Sequence, residues 1–274
     1  MCLSVSPCAR SPAAQGHNRV VDRPQGRVAP ADVGLAGPRE EAMSHRTFRE
    51  NAVYAGIFLI IATLFLFVGE AIYKPPLVAP DVLETAALSA DRIRLGIMIE
   101  FSCVLAIPLV AISLYPVLRL VSPALAVGYV AFRLFEAAIF ASMEIDKMIV
   151  VALSEAYLAS PGANAATLNV LIAALIGGEA FSGVSGAIYN LGFVTGMLML
   201  NWMLWTSRLV PRWISGWGMV CAVVLGMLSV AALFVSVPGI VAVTLIGPLA
   251  VQEMVLAVWW IVKGFDQTAL ARLG

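Results

Sequence analysis

Pro123–Val150 reads PALAVGYVAFRLFEAAIFASMEIDKMIV. The run is too apolar for a surface helix and too charged for one that faces lipid on every side. At about 100° per residue, with Arg133 at zero, Glu136 falls at about −60°, Phe140 at about −20°, Glu144 at about +20° and Lys147 at about −40°. Four charges share one narrow stripe, and Asp146, at about −140°, points away from it. Most of the remaining residues are Ala, Val, Leu, Ile, Phe and Met. A charge facing lipid costs about 3 kcal/mol or more, so the stripe has to face protein or water. The helix belongs inside a membrane bundle, and the rest of the chain has to supply its neighbours.

The composition agrees. Hydrophobic residues make up 61% of the 274 and charged residues 12%, against roughly 45–50% and 25% in soluble domains. The mean hydropathy is +0.92. The expected fold class is all-α, a polytopic transmembrane helix bundle with the lipid bilayer as its partner. The formal net charge is zero, which argues against nucleic acid. Cys2, Cys8, Cys103 and Cys221 show no CxxC spacing, so neither a zinc site nor a disulfide framework is expected. His17 and His45 both precede the first membrane segment. That argues against bis-His haem, HExxH hydrolysis and Ser–His intramembrane proteolysis. Paired intramembrane aspartates are also missing, because Asp146 is the only Asp within a hydrophobic segment. No cofactor and no metal is expected.

Residues 1–43 carry Arg, Pro, Gly and Ala with no apolar periodicity. They read as a disordered tail or as an extension ahead of a true start at Met43. The transmembrane domain then covers 44–274. Six segments are long enough to span about 30 Å of hydrocarbon at about 1.5 Å per residue: 52–69, 95–118, 123–147, 184–206, 213–235 and 241–262. Pro108 is expected to kink the second. Between the first and second, PDVLETAALSADR has the Asp-led start of a short interfacial helix. Between the third and fourth, Leu168–Ile176 is apolar but too short to span, and reads as interfacial or re-entrant.

Lys and Arg set the orientation. With the N-terminus inside, the cytoplasmic side holds twelve: seven before the first segment, then Arg119, Arg208, Arg212, Lys263 and Arg272. The outer side holds three, Lys74, Arg92 and Arg94. Trp202, Trp205, Trp213, Trp217, Trp259 and Trp260 all fall at inner ends, as an aromatic belt would. Both termini are therefore expected in the cytoplasm, in the inner (plasma) membrane of a cell. Arg208 and Arg212 flank Pro211 in a tight inner loop, where their default role is topology and lipid headgroup contact. Gly192 with Gly196, and Gly218 with Ala222 and Gly226, form small-residue ridges that suit helix packing within one chain.

Several stretches together, in order, resemble one family: YAGIFLI, RLGIMIE, LYPVLR, FRLFEAA, WTSRLVPRWISG and GPLAVQEMVLAVWWIVKGF. SRLVPRW followed by P-x4-E and then WW-x-x-KGF is the most specific part. The set resembles the bacterial domain-of-unknown-function 4386 family of integral membrane proteins, over about residues 50–266. The resemblance implies a multi-spanning bacterial membrane protein and carries no biochemical activity. Its recurring polar positions fall on Arg94, Glu100, Arg133, Glu136, Arg212, Glu253 and Lys263.

The candidate intramembrane polar site is Arg133, Glu136, Glu253 and Glu100, with Glu144 and Lys147 as an outer-rim pair. Arg133 lies about 15 Å into its segment and Glu253 about 18 Å into the sixth, so both are placed near the midplane. One reading is a salt-bridge network that only fixes helix packing. In it Arg133 pairs with Glu136 or with Glu253, and Lys147 with Glu144 or Glu100. The other starts from the count: two cations face four carboxylates, so at least one acid is poorly compensated. A carboxylate of that kind beside a fixed Arg suits proton-coupled transport or the binding of a small polar ligand. Ser182, Ser185, Tyr189 and Asn190 lie at the outer end of the fourth segment and either cap it or line the same cavity. The leading expectation is a small-solute carrier or ligand-binding membrane protein. The alternatives are a non-catalytic structural or regulatory component and a membrane enzyme acting on lipid-soluble substrates. Ligand identity and oligomeric state are not encoded legibly.

Overall fold

The computed structural model describes residues 38–160, 164–176, 184–235 and 239–273; of the tail expected over residues 1–43, residues 1–37 lie outside them and 38–43 begin the first helix. The described residues are helical, with no strand among them. In chain order the helices are α1 (Pro38–Leu77), α2 (Val82–Leu88), α3 (Ala90–Val121), α4 (Pro123–Ala159), α5 (Ala165–Ile176), α6 (Val184–Ser207), α7 (Arg212–Ala231), α8 (Gly239–Val262) and α9 (Gln267–Leu270). Five of them, within α1, α3, α4, α6 and α7, are long and apolar enough to cross a membrane. The sixth expected segment falls in α8, which has 24 residues.

The two short elements read from the loops are both helices. α2 follows Asp81, although the Asp81 side chain makes no capping bond. α5 has 12 residues and reaches about 18 Å, too short to cross. α4 has 37 residues, or about 55 Å, so it outruns the hydrocarbon layer, and α2 and α5 both pack on it. Its start is set locally: the Ser122 hydroxyl accepts from Leu125 N–H at 3.4 Å, and Pro123 occupies the first turn, where no donor is lost.

The long helices close a circuit. α1 packs on α3, α3 on α4, α4 on α6, α6 on α7, α7 on α8, and α8 returns to α1. In this order α8 stands opposite α4. Surface and interior are inverted relative to a water-soluble protein. Leu134, Ile145 and Val220 are 51%, 60% and 64% exposed, whereas Glu136 and Lys147 are 1% exposed. An apolar exterior over a charged interior is what lipid demands. The largest apolar core lies toward the predicted inner end. There Ala52, Ala55, Leu114, Leu118, Tyr129, Leu204, Ile214, Leu256 and Trp260 meet. Trp260 departs from the aromatic-belt expectation, since it is wholly buried in this core rather than turned to the interface. The other five tryptophans are at least partly exposed.

The circuit is fastened at its seam by Arg49. Its guanidinium donates to the Trp260 carbonyl at 3.0 Å and to the Ile261 carbonyl at 2.6 Å. These carbonyls end α8 and have no partner within the helix, and a cation suits that end. The chain then turns at Gly264, whose φ of 73° favours glycine.

One close helix crossing is not marked by any small-residue ridge in the sequence. A Cβ on Gly69 would lie 2.6 Å from Glu100 Cβ and 2.7 Å from the Gly96 carbonyl oxygen, so α1 and α3 touch backbone to backbone. A Cβ on Gly196, in the ridge read from sequence, would meet Phe132 at an ordinary 3.5 Å. Gly69→Ala should therefore lower stability in detergent by about 1–3 kcal/mol, while Gly196→Ala should be neutral or mildly stabilising. Thermal unfolding of the two variants checks this, and equal midpoints would show that the α1–α3 approach is not tight.

Candidate functional site

Both charged levels of the α4 stripe are buried, and each is built differently. At the outer level the Lys147 ammonium donates to Glu100 Oε2 at 2.7 Å and to Glu144 Oε1 at 2.9 Å. Glu144 is one helical turn back on α4, and Glu100 comes from α3. The second oxygen of Glu100 accepts from the Tyr73 hydroxyl at 3.2 Å. The Tyr73 ring also lies under the ammonium, 4.2 Å from its nitrogen, a cation–π contact. Glu144 Oε2 is buried with no hydrogen-bond partner among the described residues. Three helices thus meet on one ammonium, and both alternatives for Lys147 are realised at once.

At the inner level the Arg133 guanidinium donates to both oxygens of Glu136, at 3.1 and 2.9 Å. Its Nε donates to the Tyr129 hydroxyl at 3.3 Å, and its other flank lies 5.1 Å from the Phe193 ring of α6. The choice between Glu136 and Glu253 therefore goes to Glu136. The physical reason is spacing: a residue three along the same helix is held beside the guanidinium, and Tyr129 and Phe193 crowd its remaining sides. Glu253, on the opposite helix α8, is half-buried. It interacts electrostatically with Arg133 and Glu136 but forms no ion pair or hydrogen bond among the described residues. Tyr189 of α6 interacts with Glu136, and Cys103 of α3 lies in the same field of charges. Four helices, α3, α4, α6 and α8, thus face this level.

Phe140 separates the two levels. Its ring lies 5.9 Å from the Lys147 nitrogen and packs on Tyr189 with centroids 5.3 Å apart. Each level has one cation and two carboxylates: Lys147 with Glu100 and Glu144, and Arg133 with Glu136 and Glu253. Asp146 is only partly buried and takes no part. Asn190 is buried. Ser182 and the Ser185 side chain lie outside the described residues.

Several partners escaped the sequence reading. Tyr73 lies beyond the first apolar segment, which ends at Gly69, yet α1 continues to Leu77 and carries it to Glu100. Tyr129 was findable, standing one turn before Arg133 at about −40° on the same wheel. Glu155 pairs with Arg94 at 2.7 Å across α3 and α4, beside the Arg94–Asp91 pair at 3.1 Å. These are exposed pairs, screened by solvent and contributing little, unlike the buried ones.

Lys147→Met would leave Glu100 and Glu144 together without a cation, at a cost of about 3–5 kcal/mol. Replacing both acids by Gln in the same chain should recover most of it. Unfolding in detergent of the single and triple variants measures this, and a single variant as stable as the parent would show that the ammonium does not hold the helices.

No curated protein matches the chain, and no solved structure does. The family described as Domain of unknown function (DUF4386) matches over residues 54–264. The matched span runs from Tyr54, well inside α1, past the end of α8, and it contains both charged levels and the Arg208–Arg212 turn. The chain therefore belongs to the DUF4386 family.

Proposed function

We propose that this membrane protein is a small-solute carrier or ligand-binding protein whose site is the inner level, Arg133, Glu136 and Glu253. The observation that carries the reading is Glu253. It is half-buried on α8, near enough to the buried Arg133–Glu136 pair to interact with it by charge, and forms no ion pair among the described residues. A purely structural network would close all of its charges, as the outer level largely does around Lys147. A formal excess of one negative charge suits a small solute carrying an amine, or a proton. Phe140 and Tyr189 stand between this level and the outer one, and Pro248 on α8 breaks the hydrogen-bond ladder near Glu253. Both supply places where the interior can rearrange.

The second reading, a structural or regulatory component, is favoured by the outer level alone, where Lys147 is fully engaged. The two readings divide the site rather than compete for it: the outer level is a fastening and the inner level a binding place. The protein would sit in the inner (plasma) membrane as six spans with both ends in the cytoplasm, α8 supplying the sixth. Its place in the circuit opposite α4 supports this.

Glu253→Gln should unfold within about 1 kcal/mol of the parent, as expected where no ion pair is lost. It should also abolish thermal stabilisation by members of a panel of small amines and amino acids that stabilise the parent. An unchanged stabilisation profile would remove Glu253 from the site. Arg133→Gln combined with Glu253→Gln should show a coupling of about 0.5–3 kcal/mol, and strict additivity would mean the two groups do not sense each other.

A periplasm-active reporter fused after Arg208 should be silent, and activity there would invert the orientation.

A further inference from the structure

A second site lies at the opposite end of the protein from the outer level, where two turns meet. The α6–α7 turn, Arg208–Pro211, and the turn after α8, Lys263–Asp266, are tied by the Asp266 N–H donating to the Leu209 carbonyl at 3.0 Å. Between them is a solvent-open cavity of about 610 Å³, within the size range of ligand pockets, and its cations are exposed. Arg208, Arg212 and Lys263 line it, with Asp266 as the one carboxylate. Asp266 is already engaged, accepting from Ala269 N–H at 2.8 Å to cap α9. None of the three cations forms an ion pair among the described residues. Arg212 is held by the Trp205 ring, 5.2 Å from its guanidinium carbon. Leu209, Val210 and Phe265 form a buried apolar floor, and Trp259 forms a wall.

Three cations from two separate turns, converging on one cavity with a net formal charge of +2, form a receptor for an anion. Cations that served orientation alone would need no shared cavity. We infer that this cavity binds a phosphate-bearing anion, either the headgroup of an anionic phospholipid or free phosphate. Guanidinium groups match phosphate geometry, and Trp with an apolar floor suits the glycerol and upper acyl region of a lipid. This site is separate from the α4–α8 level and does not depend on it.

The test uses the full chain in nanodiscs of mixed phosphatidylglycerol and phosphatidylcholine, with retained lipid read by native mass spectrometry. Arg208→Gln with Lys263→Gln should weaken phosphatidylglycerol retention roughly 25-fold, at about fivefold per charge. Arg119→Gln with Arg272→Gln removes the same charge elsewhere on the predicted inner side and should leave retention near that of the parent. In a second arm, inorganic phosphate is added to lipid-free protein in detergent and thermal unfolding is followed. Selective loss of retention in the first double variant assigns the site to a lipid headgroup. A phosphate-dependent stabilisation lost in that variant assigns it to free phosphate. Equal retention in all three proteins with no phosphate effect, or equal losses in both double variants, overturns the inference. Lys263→Gln alone, with its smaller expected effect, carries the same comparison if the double variant does not fold.

Discussion

A charge inside a membrane protein must be met by other charges or dipoles, and Lys147 is where this constraint shapes the most structure. An unpaired ammonium in that position would cost several kcal/mol. To meet it, α3 must bring Glu100 to within 2.7 Å, and α1 must place Tyr73 against both. α1 can reach only if its backbone touches that of α3, which Gly69 and Gly96 allow. α1 must also remain helical beyond its apolar run, to Leu77. The long reach of α1 and its glycine crossing with α3 thus follow from one buried cation. Pairing of this kind adds little net stability over an apolar core of the same shape. What it adds is a single register for three helices.

Most of this architecture could be read from residues. The stripe on α4 gave both charged levels, because helical periodicity maps sequence onto faces with little ambiguity. The short helices α2 and α5 were legible from length and from an Asp at the start of a polar–apolar run. What the sequence could not carry is which face of one helix meets which face of another. Glu100 and Glu144 were equal candidates for Lys147, and only packing shows that it takes both. The α1–α3 crossing was invisible because each helix contributes a lone glycine, without the four-residue repeat that marks a ridge. Trp260 misled for the opposite reason. Its position at a segment end fits the interface belt, but the face it occupies is turned toward α1.

The two levels differ in how they spend their polar groups. Around Lys147 nearly every donor and acceptor is used, and Glu144 Oε2 is the exception. Around Arg133 the guanidinium is committed on three sides, yet the carboxylate facing it from α8 is not. The apolar core lies below, toward the predicted inner end, and the aromatic pair Phe140–Tyr189 lies between the levels. The protein thus has packed groups on either side of a middle layer in which Glu253 forms no ion pair among the described residues. That layer is where a change of occupancy would disturb the fewest packed contacts, which is why the functional proposal rests there.

The contact between Arg49 and the last turn of α8 spans 211 residues of sequence. At about 5–20 residues per second, the carbonyls that Arg49 grips are made some 10–40 seconds after it. Through that interval the first helix can settle against α3 but has no partner on its other flank, and the circuit stays open to lipid on that side. Its closure therefore waits until the last turn of α8 has been made. A chain stopped before Trp260 would leave a permanent cleft, with Arg49 lacking the carbonyls that receive it. One residue near the start of the bundle thus registers whether the whole of it has been made.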